Sequence, residues 1–151
     1  MPSIRVLLAD DHAIVRAGIR NVVEDIANLE VIAEVGDGPT LLATIQEERP
    51  DLLLVDLSMP DFDPIKSIHQ IHLENPQMKI LVVSAYDDDP YVQGMLEAGV
   101  DGYHLKDQPL SDLKLAISRI LAGERWVSSS LLPKLMVKRR ATPSVPLLTS
   151  R

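Results

Sequence analysis

Residues 4–20 read IRVLLADDHAIVRAGIR, and this stretch decides the fold. A short, mostly apolar run over 4–9 ends in two adjacent carboxylates, Asp10 and Asp11, and then gives way to a helical period. Val15, Ile19, Val22, Val23 and Ile26 recur at i, i+4, i+7, i+8 and i+11, one face of an amphipathic helix. The start of a helix after a strand is commonly a phosphate cradle, because unpaired N–H groups and the helix dipole favour an anion there. Two carboxylates would repel a phosphate, so this turn suits a cation.

The same alternation continues along the chain. Apolar runs over 31–35, 52–55, 80–84 and 102–105 read as further strands. Between them, Leu41, Leu42 and Ile45 follow Pro39, and Ile65, Ile68 and Ile71 follow Asp63 as N-cap and Pro64 at the first helical position. A fourth helix is expected from about Asp89 to Ala98, stopping at Gly99. A fifth starts at Leu110, with Leu113, Ile117, Ile120 and Leu121, and stops at Gly123. Five strand–helix repeats imply an α/β fold, a doubly wound five-stranded parallel sheet with helices on both faces. The unbroken runs LLLV and ILVV agree with strands buried on both sides.

At 151 residues the chain suits one domain and a tail. A net charge of −7 makes it a poor nucleic-acid binder unless a local basic patch or another domain makes the contact. With no cysteine, a disulfide framework, a thiolate metal site and a cysteine nucleophile are excluded. No apolar stretch approaches the ~20 residues that span a bilayer, and no signal-peptide pattern opens the chain, so a soluble cytoplasmic protein with no membrane partner is expected. Residues 1–127 form the expected domain. Residues 128–151, SSSLLPKLMVKRRATPSVPLLTSR, read as a linker, with a short helix compatible with 131–140 and an extended run around Pro143 and Pro146.

In an open parallel sheet, ligands bind beyond the carboxyl ends of the strands. The first strand delivers Asp10 and Asp11 to that edge, the third Asp56, the fourth Ser84 and the fifth Lys106. Three carboxylates repel one another unless positive charge compensates them, and Lys106 provides one such charge. Oxygen ligands suit Mg²⁺ better than zinc. Asp56, alone at the end of the central strand, is the best nucleophile candidate, with Asp10 and Asp11 holding the metal. His69 and His72 stand at i and i+3 without a third ligand nearby, which favours a solvated face. His12 and His104 flank the acidic pocket and receive no chemical role.

The segments LADDHAIVRAGIR, PDLLLVDLSMPDFDP, ILVVSAY and AGVDGYHLKD, in this order and spacing, resemble the receiver domain of two-component response regulators over about residues 1–127. The DDH start and the LKD ending are similar to the NarL/LuxR-type subfamily. That resemblance implies a flavodoxin-like (βα)5 fold with strand order 2-1-3-4-5. It implies that Asp56 accepts a phosphoryl group from a sensor histidine kinase, so that the chain is a phosphoacceptor rather than an enzyme acting on other substrates. It further implies Mg²⁺ held by Asp11 directly, by Asp10 through water, by Asp56 and by the Ser58 carbonyl. Lys106 becomes the phosphoryl-binding cation, and Ser84 and Tyr103 become a switch pair. Homodimerisation on phosphorylation is a family-level expectation. The closing LLTSR (147–151) is similar to the opening of a LuxR-type helix-turn-helix domain, so DNA contact is expected only through a C-terminal domain absent from this chain. Two positions depart from the family pattern: Pro64 stands where glycine is usual, and Asp107 follows Lys106 where many receivers have proline.

Two other readings fit less well. A Mg²⁺-dependent phosphohydrolase with an aspartyl nucleophile would place an acid two residues after Asp56, where Ser58 stands, and would need a substrate cap. A flavin mononucleotide binder would have a hydroxyl-rich loop after the first strand, where DDH stands, and more than 3% aromatic residues for stacking.

Overall fold

A computed structural model describes residues 3–85, 89–128 and 131. In chain order the elements are β1 (Ile4–Ala9), α1 (Ala13–Glu24), β2 (Leu29–Val35), α2 (Gly38–Glu48), β3 (Leu52–Val55), α3 (Pro64–Glu74), β4 (Lys79–Ser84), α4 (Asp89–Ala98), β5 (Gly102–Leu105), α5 (Leu110–Leu121) and β6 (Trp126–Val127). All strand pairs are parallel, in the order β2-β1-β3-β4-β5-β6. The expected five-strand order is therefore present, with β6 added beside β5 by pairing Trp126 with Gly102 and Val127 with Tyr103. A two-residue strand has no period to read, which is why the sequence did not announce it.

Successive side chains of a strand point to opposite faces, and the core divides accordingly. Leu7, Ala9, Leu53, Val55, Ile80, Val82, Tyr103 and Leu105 face one way and pack with Leu41 and Ile45 of α2, Ile68 and Ile71 of α3, and Val92 and Met95 of α4. Val6, Leu8, Leu52, Leu54, Leu81 and Val83 face the other way and meet Ile19 and Val23 of α1 and Leu113, Ala116, Ile117 and Ile120 of α5. Both faces of the sheet are covered, so the central strands β3 and β4 carry unbroken apolar runs, while the edge strand β2 keeps Glu30 and Glu34.

Two expected core residues lie outside this arrangement. Leu42 is 44% exposed, because the buried pair Leu41 and Ile45 already sets the face of α2 and Leu42 is turned about 80° from the centre of that face. Ile65 is 43% exposed and leans across Gly94 of α4 instead of entering the core. Asp63 does occupy the N-cap position of α3, but its side chain makes no capping hydrogen bond, so the start there rests on Pro64. The cap is made at α2, where Asp37 accepts from the Thr40 N–H at 2.8 Å and from the Thr40 hydroxyl at 3.0 Å. These bonds hold the Asp37 carboxyl below its ordinary value.

Ordered contacts continue beyond residue 127. The buried Ser128 donates its N–H to the Tyr103 carbonyl and accepts the Leu105 N–H on its hydroxyl, both at 2.9 Å. Leu131 is buried in the cluster that holds Tyr103. The expected helix over 131–140, the basic cluster Lys134, Lys138, Arg139 and Arg140, and the LLTSR segment otherwise fall outside the described residues. Among the described residues no helix is long and apolar enough to cross a membrane.

Candidate functional site

The polar strand ends are set beside one another by the backbone ladder, which runs one residue past each strand. The Asp10 N–H donates to Val35 O at 3.0 Å, the Asp56 N–H to Ala9 O at 2.8 Å and the Lys106 N–H to Ser84 O at 2.8 Å. Residues far apart in sequence thereby share one edge. Asp10, Asp56 and Ser84 are all buried there.

Lys106 joins the two buried acids. Its Nζ lies 3.2 Å from Asp10 Oδ2 and 3.1 Å from Asp56 Oδ2. Ser58 also serves Asp56: its hydroxyl donates to Oδ2 at 2.9 Å, and its N–H makes a long contact of 3.4 Å with Oδ1. Among the described residues Oδ2 thus has two close partners and Oδ1 a single long one, which leaves Oδ1 the less engaged oxygen. The resemblance assigned only the carbonyl of Ser58; the hydroxyl contact is new.

Asp11 sits nearer solvent, with its Oδ1 2.9 Å from Nδ1 of His12. The same ring nitrogen is 3.3 Å from Asp10 Oδ1 and 3.9 Å from Asp56 Oδ2, and the His12 N–H donates to Asp10 Oδ1 at 2.8 Å. His12 therefore belongs to the acidic cluster, although the sequence reading gave it no role. The available signal was adjacency: a turn that caps its own Asp10 with the His12 N–H brings the imidazole back over the acids.

Behind the cluster, Arg16 Nη1 donates to the Asp10 carbonyl while its Nε binds Glu34 Oε1 at 2.8 Å, and Arg20 also bonds Glu34. Burial pushes the Glu34 carboxyl up, but hydrogen bonds from Arg20 and Arg16 outweigh it and hold the carboxyl below its ordinary value. This brace ties α1 to β2 and fixes the turn that presents Asp10 and Asp11.

The cluster has the chemistry of a divalent-cation site. Asp10, Asp11, His12 and Asp56 each offer a ligand atom, and all four atoms lie within 4.8 Å of one another. Asp10 Oδ2, though ion-paired with Lys106, has no hydrogen-bond partner among the described residues. Hard carboxylate oxygens predominate, which fits Mg²⁺. Three acids against one ammonium also leave negative charge for a cation to balance.

Of the expected switch residues, Ser84 lies at the same edge, and Tyr103 stands two residues before the end of β5. Ser84 ends β4 and pairs with Leu105 of β5, and Tyr103 is fully buried on the face covered by α2, α3 and α4. Its neighbour His104 points to the other face, with Nδ1 buried and without a hydrogen-bond partner among the described residues. Burial pushes the His104 imidazole below its ordinary value, against the opposing pull of Asp112 and Asp107. A histidine held neutral in the fold takes up its proton more readily when unfolded. Stability is then fully present above the unfolded value near 6.5 and is lost as pH falls through and below it. Urea midpoints are expected to decline from pH 7 towards pH 5, and His104→Leu is expected to flatten that part of the slope; an unchanged slope would assign it to other groups.

Comparison with known proteins bears on this geometry. The model of the response regulator receiver domain family matches residues 6–118. The chain is 33% identical over 135 residues to the response regulator GacA of Pseudomonas viridiflava, covering 89% of this chain and 63% of that protein. It thus spans less than two thirds of that relative's length. Among solved structures it is similar to a LuxR-family two-component response regulator from Aurantimonas sp., with a TM-score of 0.85 and 30% identity over 91% of this chain and 99% of that one. It is also similar to RcsB from Salmonella enterica serovar Typhimurium bound to a promoter in the presence of phosphomimetic BeF3⁻, with a TM-score of 0.83 and 29% identity over 90% of this chain and 69% of that one.

Proposed function

The chain belongs to the response regulator receiver family, of LuxR/NarL type, and from that premise we propose that Asp56 is the phosphoacceptor and that the cluster around it performs the transfer. A sensor histidine kinase is the partner that family membership implies. An Asp56 carboxylate oxygen forms the new P–O bond as the P–N bond of the kinase phosphohistidine breaks, and the freed imidazole leaves with the bonding electron pair. Lys106, 3.1 Å from Asp56 Oδ2, neutralises charge on the incoming phosphoryl oxygens. Ser58 orients the acceptor by holding Oδ2, which keeps Oδ1 available. Asp10, Asp11, Asp56 and the Ser58 carbonyl would hold Mg²⁺, which supplies further charge neutralisation at the phosphoryl group. The observation that carries this reading is the Lys106 ammonium lying between two buried carboxylates at the ends of β1 and β3.

Once phosphorylated, Asp56 presents strong acceptor oxygens to which the Ser84 hydroxyl is drawn, and Tyr103 follows as the second half of the switch. The result is a population shift between two arrangements of the β4–α4–β5 region. Chemistry is confined to the chain's own phosphorylation and dephosphorylation. Residues 1–127 form the phosphoacceptor domain and 128–151 begin the connection to an output domain that regulates transcription; the promoter-bound RcsB relative supports that output. Homodimerisation follows phosphorylation, and the protein works in the cytoplasm.

The test is incubation of the purified chain with acetyl phosphate, with and without Mg²⁺, read on a phosphate-affinity gel. One hydroxylamine-sensitive phosphoryl group is expected, only when the cation is present. Labelling that ignores Mg²⁺ would remove the metal from the reading. Specific DNA binding by residues 1–151 alone in a gel shift would contradict the assignment of DNA contact to another domain.

A further inference from the structure

The loop that follows the phosphoacceptor is held from an unexpected side. Leu57 and Met59 are buried in the core and flank Ser58, whose hydroxyl reaches Asp56. The next carbonyl, of Pro60, accepts the N–H of Gly38 at 3.0 Å, and Gly38 opens α2 directly after the Asp37 cap. A Cβ on Gly38 would lie 2.0 Å from the Asp61 carbonyl oxygen and 2.9 Å from its carbon, both backbone atoms. Asp61 itself stands at φ 53°, a left-handed conformation in which a non-glycine residue stores strain. Two residues earlier, Gly36 faces the other half of the site: its Cβ would meet Asp11 Cα at 3.6 Å and Asp10 O at 3.7 Å, ordinary contact distances. The β2–α2 turn therefore lies against both carboxylate-bearing loops, and only at Gly38 is the approach too close for a side chain.

We propose that Gly38 is a positioning residue for phosphoryl transfer: by seating the start of α2 against the Pro60–Asp61 backbone, it sets where Ser58 meets Asp56. This inference rests on Asp56 being the phosphoacceptor. The requirement is one of space, since neither Gly36 nor Gly38 has a left-handed backbone. Any side chain at 38 displaces the Pro60–Asp61 backbone. Pro64, at the first turn of α3, stiffens the far end of the loop, so the displacement is taken up toward Ser58.

The experiment compares Gly36→Ala, Gly38→Ala and Gly38→Ala/Asp61→Gly with the wild-type chain. Three quantities are read: the urea midpoint, the rate of labelling by acetyl phosphate against Mg²⁺ concentration, and Mn²⁺ binding without phosphodonor by electron paramagnetic resonance. Wild type labelled and Asp56→Asn unlabelled establish the underlying reading; failure of that pair sinks the reading itself, apart from the role of Gly38. Gly36→Ala is expected to behave as wild type. Gly38→Ala is expected to label roughly tenfold to a hundredfold more slowly, the range for a displacement of about 1 Å at a reacting group, and to need several-fold more Mn²⁺ for half occupancy. Adding Asp61→Gly lets the obstructing carbonyl swing aside and is expected to restore much of the rate. A folded Gly38→Ala that labels and binds Mn²⁺ as wild type overturns the proposal. If Gly38→Ala does not fold, Asp37→Ala decides, because it loosens the same turn by removing the α2 cap without adding atoms. A threefold rise in half-saturating Mn²⁺ supports the proposal, and an unchanged value overturns it.

Discussion

Asp56→Asn is expected to reduce phosphoryl labelling to background while leaving the fold intact. Asparagine matches aspartate in shape, so Leu57 and Met59 keep their anchors and the Ser58 hydroxyl keeps an oxygen within reach at the position of Oδ2. What is lost is the charge: a neutral amide does not form the acyl phosphate that a carboxylate oxygen forms. The same change removes one of three crowded negative charges, with Lys106 as their only ammonium among the described residues. The urea midpoint in the absence of metal is therefore expected to stay level or rise, in contrast to most substitutions of buried polar residues. The pairing of the two results matters. Loss of labelling with a raised or unchanged midpoint assigns the effect to chemistry, whereas loss of both would show only that the fold had failed. Labelling equal to wild type would move the nucleophile to Asp10 or Asp11.

The sequence revealed most where a residue's position follows from a period or from a strand end. β1, β3 and β5 began and ended where their apolar runs did, and β2 and β4 only began earlier, at Leu29 and Lys79. Asp10, Asp56, Ser84 and Lys106 met at one edge because parallel strands deliver their last residues to the same side, a consequence of topology alone. Less legible was anything that depends on how two loops touch. His12 joins the acids because the backbone folds back on Asp10, and nothing in its own spacing announces that. Gly38 reads as an ordinary turn glycine; its close approach to Asp61 appears only once α2 and the β3–α3 loop are placed together. Ser128 extends the β5 edge with a side-chain oxygen in place of a backbone one, a contact without periodicity. Leu42 and Ile65 went astray for a related reason, since an apolar residue beside a helical stripe looks the same in sequence whether it is inside or out.

Lys106→Met is expected to destabilise the metal-free chain by about 2–4 kcal/mol, somewhat less than the ~3–5 kcal/mol of breaking a fully buried pair, because the lysine side chain keeps 19% of its exposure. Methionine retains most of the apolar stem and deletes the charge, so the loss reports on electrostatics more than on packing. Asp10 and Asp56, both buried, would then face each other with Asp11 nearby and no ammonium between them. The surplus negative charge should strengthen cation binding. Because a ligand that binds only the folded state stabilises it in proportion to RT ln(1 + [L]/Kd), Mg²⁺ should raise the urea midpoint of Lys106→Met by more than it raises that of wild type. Labelling should nevertheless fall by roughly a hundredfold even at saturating Mg²⁺, the order of loss when one preorganised charge at a reacting group is removed. Stability recovered by the cation without activity recovered separates the two tasks of the ammonium, balancing the acids at rest and meeting the phosphoryl oxygens in transfer. A further change of Asp10 to Asn in the same background should return stability without metal, with a coupling energy that identifies the pair. If Lys106→Met is as stable as wild type without Mg²⁺, the ion pair contributes nothing to the fold, and the lysine serves the transfer alone.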